Sequence, residues 1–120
     1  MGKIERTGET TKSFNKNWIA YIRKEESRRI PYCDVLYIEQ VGRNLHIKRD
    51  QDTLEIPGRM SEISKTLMEP FGQCHSYLMV NFDRVYSMTK GQIVFDNKEE
   101  LFIGRDSFAE TRKKFNNYLL

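Results

Sequence analysis

Gln73-Cys74-His75-Ser76-Tyr77-Leu78-Met79-Val80-Asn81-Phe82 is the stretch around which the rest of the chain is organised. It opens with small and polar groups, passes through an apolar run too short for a helix, and stops at an asparagine. Tyr77 to Val80, four large residues without Gly or Pro, predict a buried strand. Asn81 then stands at a strand end, where a scaffold can hold a polar side chain out to a partner at a fixed position.

The rest of the composition fits one such scaffold. A chain of 120 residues has room for one core, because a second would leave both too small. Hydrophobic residues at 38% and charged residues at 31% describe a globular protein with a highly charged surface. No stretch approaches the ~18 apolar residues of a membrane span, and the N-terminus lacks a secretory apolar block, so a cytoplasmic location is expected. Cys33 and Cys74 match no metal-ligand spacing and read as reduced, packed thiols, with a disulfide or redox pair as the lesser alternative. A formal charge of +3 permits nucleic-acid binding without demanding it. Residues 1–16 show no apolar period and read as a flexible leader or linker, with the folded domain over 17–120.

Along the domain, Trp18 to Ile22 and Ile30 to Tyr32 predict a hairpin about a polar turn from Arg23 to Arg29. Asp34 to Glu39 has large residues on both faces and reads as a central strand. Leu45, Ile47, Leu54 and Ile56 alternate about the Asp50-Gln51-Asp52 turn as a half-buried hairpin. Met60, Ile63 and Leu67 predict a short helix over Arg59–Met68, ended by Pro70. Strands at Val85–Met88, Ile93–Phe95 and Leu101–Ile103 follow, separated by turns at Thr89-Lys90-Gly91 and Asp96-Asn97-Lys98. Ser107 with Glu110 suggests a capping box for a C-terminal helix that carries Phe108, Phe115 and Leu119. The expected fold is mainly β: about ten short antiparallel strands in small sheets with two short helices.

Catalysis has no positive support. The two histidines are His46 and His75, and Cys74 beside His75 faces the other way in a strand. Cys33, His46, Cys74 and His75 come from separate segments without ligand spacing, and no glycine-rich loop cradles phosphate. No cofactor is expected. Three polar loops stand out instead: Arg43 with Asn44, Asn81 to Arg84, and Arg105 with Asp106. Arg suits bidentate contact with guanine and Asn with adenine, and either can hold a phosphate.

Three segments, Asp34-Val35-Leu36-Tyr37-Ile38-Glu39, then Phe71 through Asn81, then Ile103-Gly104-Arg105, resemble in order and spacing the LytTR-type DNA-binding domain of bacterial transcriptional regulators. The resemblance runs from about Trp18 to the end. It implies about ten short strands with one or two helices, and three loops on one edge that enter successive grooves of double-stranded DNA. By that resemblance Arg105 and Asn81 match the family's Arg and Asn, and Arg43 or Asn44 falls where its first reader stands. Gly104 replaces a frequent Ser, Leu78-Met79 replaces Ile-Val types, and Phe82 replaces a polar residue, with Arg84 nearby to compensate.

The implied function is sequence-specific binding of duplex DNA as a transcriptional regulator. Arg43, Asn44, Asn81, Arg84 and Arg105 form the interface, with Lys48 and Lys90 on phosphates. An upstream receiver domain and a homodimer on repeated half-sites are the partners the resemblance implies, and no membrane. The rival is a protein-interaction module of the same fold, acting through an exposed strand edge. Single-stranded RNA binding would need solvent-facing aromatics, whereas Tyr37, Tyr77 and Phe95 read as core.

Overall fold

A computed structural model describes residues 11–14, 17–67 and 69–120, so most of the expected leader over 1–16 lies outside the described residues. Inside that span, β1 (Thr11–Phe14) pairs antiparallel with β2 (Trp18–Arg23), which pairs in turn with β3 (Glu26–Pro31). The polar turn expected over Arg23–Arg29 is only Lys24-Glu25, since Arg23 already pairs with Glu26. The charges from Glu26 to Arg29 belong to a strand because long stems can lie along a sheet while their heads stay wet. Arg28 pairs with Glu26, and the Arg29 guanidinium lies 5.1 Å from the centre of the Trp18 ring.

The central sheet has the order β6-β5-β4-β8-β7. Its strands are β4 (Val35–Val41), β5 (Asn44–Arg49), β6 (Thr53–Pro57), β7 (Phe71–His75) and β8 (Leu78–Asn81). β4 is the middle strand, as its two-faced apolar pattern predicts. β9 (Val85–Thr89), β10 (Gln92–Phe95) and β11 (Glu100–Phe102) make a third sheet, ordered β11-β10-β9. The fold is therefore three small antiparallel sheets with two helices, α1 (Met60–Ile63) and α2 (Arg105–Leu119).

Alternation explains why the apolar run has no polar face: the central sheet is covered on both sides. Met79, with Ile38, Leu45, Ile47 and Ile56, joins Ile19, Tyr21 and Ile30 of the first sheet and Met60, Ile63 and Leu67 in one core. Leu78 and Val80, with Leu36 and Cys74, join Ile93, Phe95 and Phe115 in the other. Tyr37 stacks on Phe95 there, ring centres 5.9 Å apart. Gly72 is required by that second core, because a Cβ at this position would come 2.3 Å from the Phe82 ring. Phe82 in turn packs on Phe115 and Tyr118.

Three expectations need correction. The polar cluster before Tyr77 is itself a strand, β7, and Ser76-Tyr77 is the turn into β8, so Tyr77 is 57% exposed and outside the core. α1 is a single turn from Met60 to Ile63, not a helix over 59–68, although Met60, Ile63 and Leu67 are all buried as expected. α2 starts at Arg105 with Gly104 as its N-cap, so Ser107 lies within the helix and its carbonyl accepts from Thr111 Oγ1 at 2.6 Å. No helix among the described residues is long and apolar enough to cross a membrane.

Candidate nucleic-acid interface

Strand register decides which loops share an end of the molecule. Tyr37 lies opposite Val80 and Glu39 opposite Leu78, so the Gly42-Arg43 turn leaving β4 and the Ser76-Tyr77 turn entering β8 emerge side by side. The Gln40 amide donates to the Tyr77 carbonyl at 2.8 Å and joins them. α2 runs along β7 against the strand direction: Asn117 and Tyr118 stand by Phe71 and Gly72, and Lys114 Nζ donates to the Gln73 carbonyl at 2.8 Å. From Lys114 the helix continues back to Arg105, about 14 Å further at ~1.5 Å per residue. That carries Arg105 past His75 to the end with the two turns. The Ile103 amide donates to the Gly91 carbonyl at 3.0 Å, so the Lys90-Gly91 turn closes on the same end. Lys90, Gly91, Ile103, Arg105 and Phe108 line one depression there.

Each turn at this end is held by local chemistry. Gly42 has φ +62°, the left-handed region that glycine enters without strain, and lets β4 return directly into β5. The Gln40 side chain donates to the Gly42 carbonyl at 3.0 Å and accepts from the Met60 amide at 2.8 Å, tying the turn to α1. The Gly58 amide donates to the Arg43 carbonyl at 3.0 Å. Lys90 and Gly91 both have positive φ, 49° and 84°, the geometry of a tight hairpin turn between Thr89 and Gln92. His75 Nδ1 accepts from the Tyr77 amide at 3.2 Å.

Of the residues expected to meet DNA, this end gathers Arg43, Asn44, Lys90 and Arg105. Arg43, Lys90 and Arg105 are exposed, and no ion pair between described residues engages them. Asn44 is half-buried at the start of β5. Arg105 begins a helix whose N-cap supplies no side-chain bond, so its first amides and the helix dipole favour an anion beside the guanidinium.

The remaining expected contacts are elsewhere. Asn81 lies at the other end of β8, is 0% exposed, and its side chain is fully engaged. Nδ2 donates to the Tyr32 and Val35 carbonyls, both at 2.9 Å, and Oδ1 accepts from the Asp83 amide at 3.0 Å. The expectation that Asn81 enters a groove is thus corrected: it braces the interior. Arg84 is likewise corrected. Its side chain is 13% exposed and spans Asp96, Asp50 and the Cys33 carbonyl at 2.6–3.1 Å. Bonds to Asp96 and then Asp50 raise its pKa, while the bond from Arg84 holds the Asp50 carboxyl below its ordinary value. Lys48, near the same far end, faces Glu99 at 3.7 Å. Cys33 and Cys74 are free thiols, and burial pushes Cys74 up to about 11, which keeps it protonated.

The residues missed at the open end are His75, Ser76 and Tyr77, all exposed. The signal for them was present in the small polar cluster ahead of the apolar run, a composition that suits a turn as well as a strand start.

The comparisons agree with this architecture. The LytTr DNA-binding domain model matches residues 25–116. A solved structure, the LytTr DNA-binding domain of a Bacillus cereus protein described as a methyl-accepting/DNA response regulator, superposes with a TM-score of 0.65 at 19% identity. The match covers 84% of this chain and 97% of that one. No curated protein sequence matches significantly. The chain belongs to the LytTR family of DNA-binding domains.

Proposed function

We propose that this domain binds double-stranded DNA sequence-specifically, as the output domain of a bacterial transcriptional regulator, through the end that carries Arg43, Asn44, Lys90 and Arg105. The observation that carries the reading is the gathering, on pinned turns and a helix N-terminus in a LytTR chain, of three exposed basic side chains that no ion pair among the described residues engages. Two strand widths separate the Gly42-Arg43 and Ser76-Tyr77 turns, about 10 Å, which suits a major groove about 12 Å wide. Arg105, at the start of the helix packed along β7, then addresses the next part of the duplex. Arg43 and Arg105 have the fork geometry that reads guanine, Asn44 can pair with adenine, and Lys90 positions the domain on phosphate. The binding domain runs over 17–120 with Thr11–Phe14 added to it as the edge strand β1, and the residues ahead of β1 are a leader or linker to an upstream receiver; two copies would occupy repeated half-sites in the cytoplasm.

Selection of bound sequences from a random duplex library at two salt concentrations tests this. Wild type should recover a short motif that Arg105→Ala loses at one position, at a cost of about 1–3 kcal/mol. Equal binding by both would defeat the assignment. A second reading, docking of another protein, is favoured by Tyr86 and Phe102, which are 78% and 70% exposed on the third sheet. A stable partner in pulldowns, together with no duplex retention, selects it.

A further inference from the structure

Two large hydrophobic side chains are exposed at the basic end: Tyr77, 57% exposed, and Val41, 46% exposed. Tyr77 lies on the turn between β7 and β8, with β4 and the Gly42-Arg43 turn on one side and, on the other, β7, along which α2 packs with Arg105 as its first residue. Its backbone is fixed on both sides, the amide bound to His75 Nδ1 and the carbonyl to the Gln40 amide. Val41 ends β4 one residue after Gln40, immediately before the Gly42-Arg43 turn. The backbone of the turn is thus held in place, and it leaves the Tyr77 side chain exposed at the end that carries Arg43 and Arg105.

The major-groove edge of a base pair offers one apolar group, the C5-methyl of thymine. An apolar surface set between guanine-reading arginines has that methyl as its complement, and hydrogen-bonding edges as its mismatch, since they would lose water without gaining a partner. We propose that Tyr77, with Val41 beside it, reads thymine methyl groups, so that the operator carries thymine between the positions contacted by Arg43 and Arg105. This rests on the DNA-reading function proposed above and adds a specificity determinant to it.

Replacing thymine by deoxyuridine removes the methyl and leaves every hydrogen-bonding group in place. The test therefore uses the duplex recovered by selection, with each thymine changed singly to deoxyuridine, and measures binding by fluorescence anisotropy to wild type, Tyr77→Ser and Val41→Ser. Wild type should lose about fourfold in affinity at one or two internal positions, the weight of one buried methyl group. Tyr77→Ser should bind the thymine and deoxyuridine duplexes equally at its position, and Val41→Ser should do so at the neighbouring one. Wild type indifferent to every replacement overturns the proposal and leaves DNA reading intact. So does a folded Tyr77→Ser and Val41→Ser pair that keeps the full methyl discrimination. Failure of wild type to select any motif overturns both readings together.

Discussion

Replacing Asn81 by Ala should unfold the domain more readily without changing what it binds. The side chain makes three hydrogen bonds, two of them from Nδ2 into the Tyr32 and Val35 carbonyls at 2.9 Å. Each is worth about 1 kcal/mol net, and an interior group left unpaired adds a further penalty of about 1–3 kcal/mol. Two things moderate that penalty. The Tyr32 carbonyl keeps the Val35 amide, and Asp83 is exposed, so water can replace Oδ1 at its amide. The net cost is about 2–4 kcal/mol, which lowers Tm by roughly 10–20 °C in a domain of this size. Circular dichroism in urea should show the midpoint falling by about 1–2 M. Anisotropy at low temperature, where the variant stays folded, should show affinity within twofold of wild type on the selected duplex. Asn81→Asp should be worse than Ala at neutral pH, because a carboxylate has no proton to donate to two carbonyls. Burial and those oxygens raise its folded pKa above the unfolded value of about 3.9. Its deficit relative to Ala therefore shrinks as pH falls and is restored as pH rises through the folded pKa. An unchanged Tm, or a folded Asn81→Ala with altered base preference, would refute the reasoning.

Other expectations concern the two ends separately. Arg84→Met should cost about 1–3 kcal/mol at pH 7, because it leaves Asp50 and Asp96 facing each other without their shared cation. It should also flatten the acid limb of a stability profile. The depressed Asp50 pKa contributes stability above the ordinary carboxylate range that disappears as pH falls through it, and the variant has little of this to lose. Lys90→Gly should raise Tm, since it relieves a left-handed backbone worth about 1 kcal/mol. The same change should weaken DNA binding evenly across sequences and reduce the salt slope by about one charge. Gly72→Ala should destabilise by about 1–3 kcal/mol through its collision with Phe82, seen in thermal melts, and Phe82→Leu should recover part of the loss.

Residues whose chemistry is local were legible in the sequence. Leu78 to Val80 had to be a strand covered on both faces, Asp34 to Glu39 a central one, and Lys90-Gly91 a tight turn, because neighbours along the chain decide all three. Asn81 and Arg84 were misread for the converse reason. A polar residue closing an apolar run is either a brace or a reader, and which it is depends on groups far away in sequence. The Asn81 carbonyl partners are 49 and 46 positions distant, and the two carboxylates of Arg84 are 34 and 12. Tyr77 reads as core because it adjoins three core residues; a one-residue shift in where the turn ends is enough to put it in water. Arg43 and Arg105 could be named from the sequence, but their common end follows from the antiparallel register of β4 with β8 and of α2 along β7.

The domain is divided lengthwise. At one end Asn81, Arg84, Asp50 and Asp96 knit the sheets together; at the other Arg43, Tyr77 and Lys90 stand exposed on turns already tied by backbone bonds, and Arg105 at the start of α2. Substitutions at the second end carry little folding penalty, because the groups exchanged are not those that close the structure. A gene encoding this domain can thus vary the open end through viable intermediates, each about as stable as its parent. The same division makes the open end a workable surface for a substitution library, with the clasp at the far end left untouched.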